Sequence, residues 1–422
     1  MKYITGKSKP LTGKTRVASD KSISHRALML GLINLGKTSI KGLLEADDVK
    51  RTMENCRMLG AEISHNGDLT TIARSRVIEP NNILDFGNSG TGARLMAGVI
   101  AGYPIFSVIT GDASLRKRPM RRIADPLCEM GATIHLRSNR FLPATIIGGK
   151  LKGINYKNSI GSAQVKSAIM LASLNANGTT VIEDPKRSRD HTERLLIQSG
   201  ANITITGNKI TLKKSVINRN LEIMVPADFS SAAFVIAYAL LRKGSEITLK
   251  EVGINPTRTG MLKILELFGA KIEITKRYEF GLEPVADLYV SYQRENMRGT
   301  EIPESLVVSA IDEIPIIAAI AASIEGKTTI RGAKELRYKE SDRIKLIVKN
   351  LSSLDVKCIE YDDGFEIEGA DKIKNATIVT DFDHRIAMSF IILGSVFENR
   401  LEIEDIESIQ TSYPNFFENL ML

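Results

Sequence analysis

Tryptophan is absent from this sequence, aromatic residues make up only 5% of it, and cysteine occurs three times. Each shortage excludes something. Proteins that hold single-stranded nucleic acid stack bases on aromatics set among basic residues. No such interleaving occurs here, although the net charge is +8. Cys56, Cys128 and Cys358 stand alone, with no CxxC and no nearby histidine pair. That argues against a zinc site or a disulfide framework and fits a reducing, cytoplasmic setting. No stretch approaches the roughly 20 apolar residues of a membrane span. The opening MKYITGKSKP lacks the apolar core of a secretory signal. None of the five histidines has a partner at metal-binding spacing, and neither GxSxG nor HExxH occurs. A metal centre or an acyl-enzyme is therefore not expected.

What is present is a chain of 422 residues, 43% hydrophobic and 25% charged, long enough for two domains with cores of their own. Its basic balance suits either a well-solvated surface or small anionic ligands. The organising feature is a repeat. A small, polar opening followed by an apolar helix recurs six times. The instances are SDKSISHRALMLG from Ser19, GNSGTGARLMAGVIAG from Gly87, SAQVKSAIMLASL from Ser162, DFSSAAFVIAYALL from Asp228, DEIPIIAAIAAS from Asp312 and DHRIAMSFIILGS from Asp383. They lie roughly 65 to 85 residues apart. Each leads to a β-branched strand, such as GKTSIKGL from Gly36 or EGKTTIRG from Glu325. A second helix then stops at LGAEI, MGATI, SGANI or FGAKI, glycine being the usual residue just past a helix end. The fifth unit has the variant LDVKCI. The sixth runs out at Leu422 before its final strand, which the opening MKYIT is placed to supply. The repeat predicts an α/β fold of six units in two lobes of three. Residues 20–226 form one lobe, and residues 1–19 with 227–422 form the other.

Polar residues gather where the repeated helices begin. Helix N-termini offer unpaired N–H groups and a positive dipole end, both of which favour phosphates and carboxylates. The first cluster is Lys21, Ser22, Ser24 and Arg26, with Ser19 or Asp20 as N-cap. The second is the glycine-rich run from Gly87 to Arg94, which does not end in GKS or GKT and so is no P-loop. Its glycines would let the backbone approach a ligand. The third is Arg116, Lys117, Arg118, Arg121 and Arg122 around Pro119, a residue suited to a helix's first turn. Ser162, Gln164 and Lys166 follow, with Ser188, Arg189, Asp190 and His191 one element later. Then come Asp312 with Glu313, Lys339 with Glu340, Asp342 and Arg343, and Asp383 with His384 and Arg385. Singly, each also reads as a capped helix with solvated charges. Together they give many cations, a few carboxylates and no obvious nucleophile. That set suits acid–base chemistry on a multiply anionic small molecule.

The phrases SDKSISHRAL, GNSGTGARLMAG, SLRKRPM, SAQVKSAIMLA, SRDHTE, NPTRTG, DEIPIIA, KESDR, DHRIAM and TSYPNF, in this order, cover nearly the whole chain. They resemble the EPSP synthase family of enolpyruvyl transferases. The resemblance implies a two-lobed inside-out α/β barrel of six βαβαββ units with the active site in the cleft between lobes. It implies attack of the 5-hydroxyl of shikimate 3-phosphate on C2 of phosphoenolpyruvate, then loss of phosphate, with no metal or organic cofactor. By resemblance, Lys21, Ser22, Arg26, Ser162, Ala163 (through its backbone), Gln164, Arg189, Asp312 and Lys339 hold shikimate 3-phosphate. Phosphoenolpyruvate meets Lys21, Asn88, Gly90, Thr91, Arg118, Gln164, Arg343 and Arg385. Asp312 is the implied base and Glu340 the implied acid at the methylene carbon, with Lys21 sharing proton work.

Two departures stand out. Many family members carry a lysine where this chain has Thr411, so one expected phosphoenolpyruvate cation is missing. Gly90 occupies a position where a branch of the family often has alanine, so the chain is expected to leave room for the phosphonate inhibitor glyphosate. A related enolpyruvyl transferase acting on UDP-N-acetylglucosamine is the nearest rival, but the cysteine expected in its cleft loop is missing from GDASLRKRPM. A nucleic-acid-binding protein on a related repeat fold is the other alternative. It would explain the charge but not Asp312 with Glu340. A cytoplasmic monomer without nucleic-acid or membrane partners is expected.

Overall fold

The computed structural model describes residues 1–73 and 76–422. The six apolar stretches become helices: α1 (Lys21–Ile33), α2 (Gly90–Ala101), α3 (Ala163–Ser173), α4 (Phe229–Leu241), α5 (Ile314–Ser323) and α6 (His384–Phe397). The residues before them fix where each begins. Side chains of Asp20, Ser89, Ser162, Asp228 and Asp383 accept a first-turn backbone N–H, a contact worth about 1 kcal/mol per helix. In α5 the N-cap residue, Glu313, makes no such bond, and Pro315 sits in the first turn, where a missing N–H costs little.

Every residue of α4 and α5 is buried. A helix that is apolar all round belongs in a core. The strands, by contrast, alternate, as in Thr179–Glu183, where Thr180 and Ile182 are buried between exposed or half-buried neighbours. Such strands cover a core with one face and meet water with the other. Within each unit the helices therefore lie inside and the sheets outside.

Among the described residues there are six small sheets, five of four strands and one of three. One plan recurs. The strand after a core helix pairs in parallel with an edge strand and antiparallel with the far arm of a hairpin, as Phe106–Thr110 does with Leu84–Asp85 and Phe141–Ile147. Distant segments supply three of the closures. Leu221–Met224 lies parallel to Thr38–Lys41, and Thr12–Thr15 lies parallel to Glu246–Gly253. Tyr3–Ile4 pairs antiparallel with Glu402–Ile403, so the chain's first strand completes the sixth sheet, as the repeat arithmetic predicts.

The chain forms two compact units. One is Ser19–Val225 with Phe280–Glu283; the other is Met1–Ala18, Pro226–Glu279 and Pro284–Leu422. The tip 280–283 of the hairpin formed by Glu273–Phe280 and Glu283–Ser291 groups with the first unit. Nothing in the repeat pattern signals that. Pro119 is a smaller correction. It precedes the N-cap Met120 of the helix Arg121–Met130 rather than lying in its first turn. Among the described residues no single helix is long and apolar enough to cross a membrane.

Candidate active site

In the unit built on Ser19–Val225, polar side chains tie together the first two turns of α1, α2 and α3. Arg94 Nη1 donates to Gln164 Oε1 at 2.6 Å, and Gln164 Nε2 donates back to Thr91 Oγ1 at 3.0 Å. Arg26 donates to Thr192 Oγ1 at 2.7 Å, Ser167 Oγ at 3.0 Å and the Ser22 carbonyl at 2.9 Å. His25 bonds Thr52 Oγ1 at 2.8 Å and lies 3.3 Å from Ser89 Oγ, the N-cap of α2. Burial, with Lys21 and Arg26 adding repulsion, holds its pKa well below the usual imidazole value. His25 is thus a neutral strut, not an acid. Lys21 Nζ donates to Asp48 Oδ2 at 3.0 Å.

Beside these helix ends runs an oriented relay. Asn88 donates to Asp112 at 2.8 Å, and Arg118 donates to the Asn88 carbonyl at 3.3 Å, to Asn88 Oδ1 and to Ser114 Oγ at 3.1 Å. Gly90 fits under two guanidiniums. A Cβ there would come within 3.2 Å of Arg118 Nη1 and 3.3 Å of Arg94 Nη1. Burial lowers the Arg26 pKa to about 10; Glu193 and Asp20 resist the change, and Arg189 adds repulsion. Arg26 still carries its charge at neutral pH, and Arg189 lies within its electrostatic reach. Helix N-termini plus several guanidiniums form a strong site for phosphate or carboxylate.

The other unit carries the carboxylates. Arg343, whose side chain is 1% exposed, opens the helix Arg343–Ser353. Its Nε donates to Asp383 Oδ2 at 2.8 Å, and its Nη2 donates to Asp383 Oδ1 at 3.3 Å and to Glu340 Oε2. Nη1 lies 3.6 Å from Asp312 Oδ1 and makes no hydrogen bond. Lys339 Nζ donates to the same Asp312 oxygen at 3.1 Å, and Arg385 Nη1 donates to the Asp312 carbonyl at 2.8 Å. Asp383 also accepts from Ser341 Oγ and from the backbone of Arg385. Burial opposes the charge on Arg343, but Asp383, Glu340 and Asp312 outweigh it and raise its pKa above the ordinary arginine value. Asp312 and Glu340 thus lie among Lys339, Arg343 and Arg385, with the Asp383 carboxylate buried against Arg343.

Most residues singled out in the sequence are thus gathered in two groups. Lys21, Ser22, Arg26, Asn88, Gly90, Thr91, Arg118, Ser162, Ala163, Gln164 and Arg189 belong to the first unit; Asp312, Lys339, Glu340, Arg343 and Arg385 belong to the second. Ser162, Ala163 and Gln164 open α3 and are partly exposed. Lys166 departs from its cluster. It is buried against Asp184 at 2.8 Å and Glu193 at 2.6 Å, so its charge is spent inside the unit. Thr411 turns its hydroxyl onto the Ser408 carbonyl at 2.7 Å. Sequence reading gave no role to Arg94 or to Asp48. Its place in the glycine-rich run, just past the first turn of α2, was the available signal for Arg94; Asp48, on the helix Asp47–Met58, gave none.

The profile of the EPSP synthase (3-phosphoshikimate 1-carboxyvinyltransferase) family matches residues 5–420. The 3-phosphoshikimate 1-carboxyvinyltransferase of Sulfurihydrogenibium sp. is 45% identical, over 100% of this chain and 99% of that protein. The enzyme of the same name from Geobacter metallireducens is 43% identical, over 98% and 97%. A solved EPSP synthase from Acinetobacter baumannii superposes with a TM-score of 0.86 at 40% identity, covering 99% of this chain and 97% of that one. The enolpyruvyl transferase NikO from Streptomyces tendae shares the fold at 14% identity, with a TM-score of 0.79 over 99% and 96% of the two chains. The chain belongs to the EPSP synthase family of enolpyruvyl transferases, and it is an enzyme.

Proposed function

We propose that this chain transfers the enolpyruvyl group of phosphoenolpyruvate to the 5-hydroxyl of shikimate 3-phosphate in the cytoplasm. The observation that carries the reading is the convergence of Lys339, Arg343 and Arg385 on Asp312, with Glu340 bonded to Arg343. Asp312 takes the proton of the 5-hydroxyl as its oxygen attacks C2. Glu340 delivers a proton to C3, which becomes a methyl group in a tetrahedral adduct. Glu340, left as a carboxylate, then takes back a C3 proton as the C2–O bond to phosphate breaks, the proton held by Asp312 leaves with the phosphate, and the double bond is restored. Arg343 and Arg385 meet phosphoenolpyruvate, since a guanidinium pairs with carboxylate or phosphate through two hydrogen bonds. Arg118, Gln164, Lys21 and the Asn88–Gly90–Thr91 turn complete its contacts. Lys21, Ser22, Arg26, Ser162, Ala163, Gln164, Arg189, Asp312 and Lys339 hold shikimate 3-phosphate.

In D2O the enolpyruvyl methylene of the product should gain deuterium, and Glu340→Gln should suppress both turnover and the gain. A product methylene that stays fully protiated would contradict proton delivery to C3.

The Gly90 geometry gives a further expectation. Gly90 does not sit at positive φ, so alanine fits the backbone, but the added methyl would press Arg118 and Arg94 outward by a few tenths of an ångström. Gly90→Ala should melt within a few degrees of the parent. It should bind glyphosate at least about tenfold more weakly and raise the phosphoenolpyruvate KM severalfold. Inhibition titrations on both proteins test this, and equal glyphosate affinity would refute it.

A further inference from the structure

Glu313 follows Asp312 and stands at the N-cap of α5, yet its carboxylate does not cap its own helix. It is 1% exposed. Its Oε1 accepts a hydrogen bond from Ser230 Oγ and lies 3.8 Å from Arg385 Nη1. Ser230 Oγ in turn accepts from Arg258 Nη2 at 2.8 Å, and that nitrogen also donates to Asp228, the N-cap of α4, at 2.8 Å. Arg258 comes from NPTRTG, a phrase the reaction chemistry leaves unused. Arg258, Ser230 and Glu313 thus form a buried polar line from the start of α4 to the guanidinium at the start of α6.

A buried carboxylate persists only where partners offset its desolvation. Here those partners include a hydroxyl, itself oriented by an arginine, and Arg385. Both contacts to Arg385 use Nη1: its bond to the Asp312 carbonyl and its approach to Glu313. One edge of the guanidinium is therefore fixed by protein, which leaves the other edge for an anion. We infer that Glu313 is a positioning residue, which, held by Ser230, sets the orientation in which Arg385 receives phosphoenolpyruvate. The inference rests on Arg385 meeting phosphoenolpyruvate, as proposed above.

Glu313→Gln keeps the size and the acceptor for Ser230 but removes the charge opposite Arg385. It should raise the KM for phosphoenolpyruvate about tenfold and leave that for shikimate 3-phosphate within about twofold. Glu313→Asp restores the charge and should recover part of the loss, while Ser230→Ala should raise the phosphoenolpyruvate KM by a smaller factor. Arg385→Gln is measured alongside, and combined with Glu313→Gln its effect should fall well short of the product of the two. An Arg385→Gln effect on the phosphoenolpyruvate KM with none from Glu313→Gln overturns the inference and leaves the Arg385 reading intact. No effect from Arg385→Gln removes that reading and the inference with it. Equal rises in both KM values on Glu313→Gln would mark a general structural role and also overturn it. Should Glu313→Gln fail to fold, an unchanged phosphoenolpyruvate KM in folded Ser230→Ala does the same.

Discussion

Asp312→Asn is expected to lower kcat by about 100- to 10,000-fold, the usual contribution of a positioned general base, with little change in stability. The amide keeps the shape of the carboxyl group and an oxygen that Lys339 can bond. Arg343 retains Asp383 and Glu340, its two hydrogen-bonded carboxylates, so no buried cation is stranded. Lys339 is 28% exposed and water can satisfy it. What the variant loses is the ability to accept the 5-hydroxyl proton. KM values for both substrates should stay within severalfold, because the anion-binding cations remain. Steady-state kinetics with a melting curve tests this; a kcat within tenfold of the parent would remove Asp312 from the role of base.

Arg343→Met should damage stability and activity together. Arg343 is wholly buried, and so is Asp383. Replacing one partner of a buried ion pair strands the other charge, at a cost of about 3–5 kcal/mol. Ser341 and the α6 backbone N–H groups still bond Asp383, which places the loss toward the lower end of that range. The midpoint of urea unfolding should fall accordingly. Glu340 would lose the guanidinium that orients it, so the folded fraction should show no measurable turnover. Arg343→Lys keeps the charge but cannot span Asp383 and Glu340 at once; its stability should be intermediate and its kcat still depressed at least about 100-fold. A folded, active Arg343→Met would mean that the carboxylates are held by something else.

Much of this was legible in the sequence because repetition made it so. Six small-residue openings, each ahead of an apolar run, gave the six core helices. The four Gly-Ala phrases marked the ends of second helices. The position of Tyr3–Ile4 beside Glu402–Ile403 followed from counting strands. The cations at the helix starts were legible for a physical reason: a positive side chain beside the free N–H groups of an apolar helix has few structural uses. The rest depended on contacts between segments far apart in the chain. Lys166 looked like a member of the ligand-facing group, and only its burial against Asp184 and Glu193 shows its charge spent internally. Glu313 looked like a routine acidic cap, and its attachment to Ser230, 83 residues earlier, has no local signature. The grouping of 280–283 with Ser19–Val225 is equally invisible to periodicity, because a hairpin tip carries no mark of what it packs against.

The most direct test of the account is phosphate release from phosphoenolpyruvate by the purified protein in EDTA, with shikimate 3-phosphate or UDP-N-acetylglucosamine offered as acceptor. Release that requires shikimate 3-phosphate and persists in EDTA is the predicted result. Release driven by the nucleotide sugar, or no release with either acceptor from a folded sample, would contradict it.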